Sequence, residues 1–386
     1  MISDDIPIIG QQFNLNKCTK HNNLYIDRSF PCPHPDCLEG LNSNEFIIKD
    51  SNSIYIRKRW LDLDGNKKYM WIDKMYPFIY IDNIIYDEML KISNSERHTS
   101  IYHYTSLDTL YKILESNELW LTEWKCTNDK MEIQHGLEIV NKFNTNKLNL
   151  EKIVNKNNYF ISSFSYEIGK KTLFDEYAEK AEGVAIEFNM QHQYIPRDKS
   201  FWYKNSEFMK LLPIIYDKEI QEKIIQYAFY IYDTVKLWIE ESPDIYNPFS
   251  NKLHSKKKRI KHLTSSFSKI IEEIISFFKD DSFSDEREIR WLYRYDSKFI
   301  KKNKFKNKIR NKVNKYYFTT KDAHYMSYDT VYNIDKVVPN IKLPIKSIIL
   351  GSRVKNKEQI INDIKKKCNL FDFNDVEIKV SNIPYQ

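Results

Sequence analysis

The run Asp285-Glu286-Arg287-Glu288-Ile289-Arg290-Trp291 sets two carboxylates and a guanidinium at alternate positions. Read as a strand, it turns Glu286, Glu288 and Arg290 to one face and Arg287, Ile289 and Trp291 to the other. Carboxylates aimed at a reacting centre stabilise positive charge that develops in a transition state. Two other stretches place polar groups where a strand normally buries apolar ones. Ile101-Tyr102-His103-Tyr104-Thr105 puts His103 and Thr105 on one face. Tyr159–Phe188 puts Ser163 and Ser165 on one strand face, then Phe174 and Tyr177 three apart on a helix, a spacing that suits two rings flanking a flat ligand. Each stretch also has a plainer reading: a satisfied core histidine, hydroxyls bonded to backbone, and a solvated charged edge.

A second constellation lies near the N-terminus. Cys18-x2-His21 and Cys32-x4-Cys37 offer four nitrogen and sulfur ligands in two short knuckles separated by ten residues. Zinc takes four such ligands in a tetrahedron, and a tight turn can present two at once. Pro31, Pro33 and Pro35 stiffen the second knuckle, where His34 is a competing ligand. The expectation is one structural zinc, because a full protein ligand set leaves no open position for water. The contrary reading is a set of free cysteines in a disordered head.

The elements that must position these groups follow from pattern. EFIIKD, SIYIRKRW and KKYMWID read as strands, with Asp64-Gly65 as a hairpin turn between the last two. Ser93–Ser100 reads as a linker. After the strand IYHY, Thr105 or Ser106 caps a helix with Leu107, Leu110, Tyr111 and Leu114 on one face. ELWLT, YFISSFS, GVAIEF, EIRWLYRY, IKSIIL and VEIKV read as strands. Met131–Phe143, TLFDEYAEKA, Ile220–Trp238 and Lys355–Lys367 read as helices, as does the stripe Leu263, Phe267, Ile270, Ile271, Ile274, Ile275 and Phe278. Strands and helices mix without regular alternation, so the fold class is α+β. The organisation expected is a zinc-ribbon-like module at 1–45, a small β-rich extension at 46–95 and a main domain at 101–386 with a helical insertion at about 220–280.

Composition narrows the classes. Of 386 residues, 41% are hydrophobic and 15% aromatic, ample for a sizeable core. Only seven glycines occur, and neither G-x-G-x-x-G nor the P-loop pattern is found, which removes the usual glycine-rich phosphate loops. No apolar run reaches the roughly 18–20 residues of a membrane span. The N-terminus lacks signal-peptide character. Five cysteines, three within residues 18–37, suit a reducing, cytoplasmic setting better than a disulfide framework.

Taken together, Y-H-Y-T-S, L-W-L-T-x5-N-D, F-S followed by Y-A and G-V-A-I-E-F, and E-x-E-x-R resemble a widespread bacterial family over roughly residues 101–300. That family in turn resembles the ADP-ribosyltransferase-like fold, a split β-sheet that grips NAD in a cleft. The resemblance implies NAD as substrate, with His103 on the adenosine ribose, Thr105 nearby and Tyr177 flanking nicotinamide. It implies Glu288 on the nicotinamide-ribose 2′-hydroxyl and Glu286 positioning an acceptor, the two catalytic carboxylates. Ser163, Ser165, Phe174 and Arg290 complete the expected NAD-binding set. Phe174 stands where the bacterial family usually has Trp, and Tyr104 where the poly-ADP-ribose branch has Gly. The resemblance further implies a toxin or anti-phage effector that modifies a protein or nucleic acid, or hydrolyses NAD when no acceptor is present.

Two basic runs point to a different class. Lys256–Arg259 with Lys261 is one, and Lys301–Lys315 carries eight basic residues and no acid. Such runs neutralise phosphate, and the net charge of +7 permits a polyanionic partner. The alternative function is therefore a non-catalytic nucleotide or nucleic-acid binding module, while solvated lysine-rich insertions are the plainer reading of the runs.

Overall fold

The structure is a computed structural model, and it describes residues 16–17, 24–25, 47–49, 54–73, 81–92, 99–124, 131–144, 158–189, 209–242, 244–247, 252–295, 310–312, 315–319 and 342–384. Cys18, His21, Cys32 and Cys37, the expected zinc ligands, lie outside the described residues, as do Asn128, Asp129 and 301–309 of the second basic run.

In chain order the elements begin with β1 (Asn16–Lys17), β2 (Leu24–Tyr25), β3 (Ile47–Lys49), β4 (Ile54–Leu61), β5 (Lys67–Asp73) and α1 (Ile81–Ile92). Next come β6 (Ser100–Thr105), α2 (Leu107–Ser116), β7 (Trp120–Glu123), α3 (Met131–Phe143), β8 (Asn158–Ser165) and α4 (Lys171–Tyr177). Then follow β9 (Val184–Asn189), β10 (Met209–Pro213), α5 (Lys218–Glu241), β11 (Ile245–Asn247), β12 (Lys252–His254) and α6 (Lys256–Ile275). The chain closes with β13 (Glu288–Tyr295), β14 (Arg310–Lys312), β15 (Lys315–Thr319), β16 (Ile345–Leu350), α7 (Lys357–Leu370) and β17 (Glu377–Val380). The α+β class holds. Among the described residues no helix is long and apolar enough to cross a membrane.

The chain forms two compact units, each built from three stretches. The first takes residues from 1–94, 133–156 and 217–278, and the second from 95–132, 157–216 and 279–386. The stretch read from sequence as an insertion at about 220–280 thus shares a unit with the β-rich segment read as an extension.

In the first unit β3, β4 and β5 make an antiparallel sheet. Its β4–β5 turn carries Gly65 at φ +80°, and Asp62 Oδ1 accepts from the backbone of Asn66 at 2.8 Å. Asp217 caps α5 by accepting from Ile220 N, and Ser255 caps α6 through Lys258 N. The apolar stripe of α6 is buried as its period requires, and Phe267 meets Tyr232 at 4.6 Å and Phe229 at 5.2 Å. Tyr86 Oη donates to the buried Glu273 Oε2 at 2.6 Å.

The second unit is built on a sheet of ten described strands, ordered β14-β15-β7-β8-β6-β9-β16-β17, with β13 also on β8 and β10 on β13. Only β16–β17 is parallel. Strand β8 pairs with β13 along its length, from Glu288↔Ser165 to Tyr295↔Asn158. Its other edge is shared: β7 takes Phe160 and Ile161, and β6 touches it through the single pair Tyr102↔Ser165. The sheet is therefore open between β6 and β8.

One sheet face carries the larger core. Leu110 and Leu114 of α2 and Ile364 of α7 bury against Ile101, Phe164, Ile186, Ile289 and Trp291. Burying each such side chain fully contributes about 1.5–3 kcal/mol. Ser106 starts α2 by accepting from Thr109 N at 3.1 Å, which settles the cap between the two candidates. On the other face α4 lays Leu173 and Phe174 against Tyr102, Tyr104 and Ala185.

Candidate functional site

The strand expected over Asp285–Trp291 begins only at Glu288. Asp281–Glu286 winds as a 3-10 turn, and Arg287 ends it in the left-handed conformation at φ 41°. Glu286 therefore reaches the site from the turn and not from the strand face on which alternation placed it. Ser165 Oγ pins this turn to the end of β8, donating to the Glu286 carbonyl at 2.6 Å and accepting from Glu167 N at 3.0 Å.

Glu288, Arg290, Ser163 and Ser165 share one sheet face, because Glu288 pairs with Ser165 and Arg290 with Ser163. Around them a continuous polar network forms. Arg290 Nε donates to Glu288 Oε1 at 2.9 Å and its Nη2 to Oε2 at 3.0 Å, a two-point clasp across one strand repeat. Lys279 Nζ lies 3.4 Å from Glu288 Oε2 and 2.6 Å from Glu286 Oε2. The other Glu286 oxygen accepts from Tyr177 Oη at 2.7 Å. Tyr216 Oη accepts from the Glu288 backbone N–H at 2.8 Å. Glu288, Arg290 and Lys279 are buried, while Tyr177 is 43% exposed and Ser163 is exposed.

Burial alone would raise the Glu288 carboxyl. The Arg290 and Lys279 charges, with hydrogen bonds from Arg290 and Ser163, outweigh it and hold the pKa at about 2. Glu288 is thus a carboxylate at any physiological pH. Burial and the neighbouring Glu286 charge push the Tyr177 phenol up, and burial and Glu288 do the same to Tyr216. Both phenols stay protonated and serve as neutral hydrogen-bonding groups.

The remaining expected residues separate. Phe174 is fully buried, edge-on to Tyr104 at 5.1 Å, so its ring belongs to the core beneath α4 and only Tyr177 of that pair faces outward. Arg290 is committed to Glu288 and is 2% exposed. His103 lies one position past Tyr102, which shares the face of Ser165, so His103 and Thr105 belong to the opposite sheet face from Glu288. There His103 is half-buried, 5.6 Å from Phe164, and its Nδ1 donates to the Ser163 carbonyl across the opening at 3.0 Å. Burial lowers its pKa and keeps the ring neutral. That tautomer leaves Nε2 as an acceptor. Tyr177 and Glu288 come together through Glu286 and Lys279, and His103 stands apart from them.

Lys279 and Tyr216 were not foreseen. Lys279 ends the apolar stripe of α6 directly after Phe277-Phe278, where a lone cation reads as a helix terminus. Tyr216 lies among apolar residues in a run that looks like core.

Residues 173–291 match the model of a family described as a protein of unknown function (DUF2971). No curated protein matches the chain, and no solved structure matches it. The matched stretch runs from α4 into β13, taking in Tyr177, Tyr216, Lys279, Glu286, Glu288 and Arg290.

Proposed function

We propose that the chain is an NAD-consuming enzyme that transfers ADP-ribose to an acceptor, or to water when none is bound. The observation that carries the reading is a buried carboxylate, Glu288, kept ionised beside the exposed hydroxyl of Ser163. Breaking the glycosidic bond to nicotinamide makes the ribose cation-like, and a charge preorganised in a low-dielectric setting stabilises such a state. Nicotinamide leaves neutral with the bonding electrons, and the acceptor oxygen or water adds to the ribose carbon. Glu286 has one partner on each oxygen and keeps lone pairs to take that oxygen's proton. Tyr177 is the exposed ring beside it.

A second reading is a non-catalytic nucleotide or nucleic-acid binding module. Its supporting observation is that Arg290 already occupies both Glu288 oxygens.

The deciding assay follows nicotinamide release from NAD with and without lysate or RNA. Wild type should release it, and Glu288→Gln should lose about 10²–10³-fold in turnover. Because Gln removes the carboxylate that the buried Arg290 clasps, circular dichroism must accompany the assay, with Ser163→Ala as a variant that spares the ion pair. Equal turnover by wild type and Glu288→Gln, or no NAD binding at millimolar concentration, would favour the binding module.

A further inference from the structure

We propose that Lys279 is a positioning residue that joins Glu286 and Glu288 into one charge-balanced unit and fixes the orientation of both carboxylates. Its catalytic consequence rests on the NAD-consuming reading above. The geometry is independent of that reading. Lys279 is buried, and its ammonium lies 2.6 Å from Glu286 Oε2 and 3.4 Å from Glu288 Oε2. Its backbone N–H donates to the Ile215 carbonyl at 3.2 Å, which anchors the residue beside the chain leaving β10. The Phe283 ring stands 4.8 Å from Nζ and covers one side of the ammonium.

The charge count explains why a lysine is needed. Two carboxylates face two cations, Arg290 and Lys279. Arg290 clasps Glu288, and Lys279 lies within ion-pair distance of both carboxylates. Three neutral groups also touch the pair: Tyr177 from α4, Tyr216 after β10, and Ser163 from β8. Without Lys279 the site would hold one net negative charge. Two neighbouring carboxylates that lose a shared cation do not both stay ionised as readily, and one takes up a proton at a higher pH.

The test compares Lys279→Met, Lys279→Arg and the double variant Lys279→Met/Glu286→Gln in the full chain. Carbon-13 NMR of labelled glutamate carboxyls follows titration, with Glu286→Gln and Glu288→Gln identifying the signals, and the pH profile of nicotinamide release is read in parallel. In wild type the Glu288 signal should not titrate above pH about 4. In Lys279→Met one carboxyl of the pair should titrate at least about one pH unit higher, and the acid limb of turnover should move with it. Lys279→Arg should restore both. A folded Lys279→Met with the wild-type titration would overturn the proposal. If Lys279→Met does not fold, the double variant decides. It removes a carboxylate with the cation, so a folded protein with an ionised Glu288 supports charge balance. A double variant as unfolded as the single one shows that Lys279 serves the fold alone. A wild type that releases no nicotinamide overturns the NAD reading and leaves the titration outcome standing.

Discussion

Lys279 and Glu288 lie nine residues apart in the chain and 3.4 Å apart in space, with the 3-10 turn Asp281–Glu286 folded between them. The turn ends on Arg287 in the left-handed region, at φ 41°, and the chain then enters β13 with Glu288 beside Lys279. A carboxylate enclosed in this way couples the local geometry to pH, and the first prediction follows from that coupling.

Glu288 has a folded-state pKa of about 2, below the ordinary 4.5. A depressed carboxylate contributes stability that is complete above its unfolded pKa and is lost as pH falls through the folded value. Wild type should therefore lose up to about 3 kcal/mol from this group between pH 5 and pH 2. Urea midpoints measured across that range should show the gap between wild type and Glu288→Gln closing as pH falls. A gap of constant size would mean that Glu288 is not the group concerned.

Phe174 and Tyr177 sit one helical turn apart and should behave oppositely. Phe174→Ala empties a fully buried ring site and should cost about 3–5 kcal/mol. Tyr177→Ala removes one exposed hydrogen bond and should cost about 1 kcal/mol or less. Calorimetric titration with NAD should instead show weakened binding for Tyr177→Ala. If the two variants are equally destabilised, Tyr177 has a structural role and no claim on a ligand.

Gly183 immediately precedes β9, where two backbones meet. A Cβ there would lie 2.3 Å from the Thr105 carbonyl oxygen and 3.0 Å from that of Ala178. Neither oxygen belongs to a side chain that can swing away. Gly183→Ala should cost about 1–3 kcal/mol or more, read as a lowered urea midpoint. An unchanged midpoint would show that β6 and β9 can part without penalty.

The basic start of α6 splits into two kinds of residue. Lys257, Lys258 and Lys261 are exposed, whereas Arg259 is 1% exposed and turned inward. If this helix contacts nucleic acid, alanine at the three lysines should flatten the dependence of affinity on salt. Arg259→Ala should instead lower thermal stability and leave the salt slope unchanged. Binding that is independent of salt would remove this surface from consideration.

What the sequence by itself determined is local. The strands rich in β-branched and aromatic residues, a helix cap at Thr105 or Ser106, the α6 stripe and the shared face of Glu288 and Arg290 all depend on neighbours within a few positions. These features appear in the described structure because side-chain period and capping are short-range physics. The site's composition was decided elsewhere. Strand alternation placed Glu286 beside Glu288, but a left-handed residue that is not glycine ends the turn between them. Helical spacing paired Phe174 with Tyr177, but the sheet beneath α4 buries one ring and leaves the other outside. Alternation also put His103 and Thr105 together, yet the register Tyr102↔Ser165 turns them to the face opposite Glu288. Register is set by pairing between strands roughly sixty residues apart, and a shift of one residue would turn every side chain to the other face. Lys279 and Tyr216 entered the site through folding alone: a 3-10 turn brings Lys279 back to Glu288, and Tyr216 reaches the Glu288 backbone from 72 residues away.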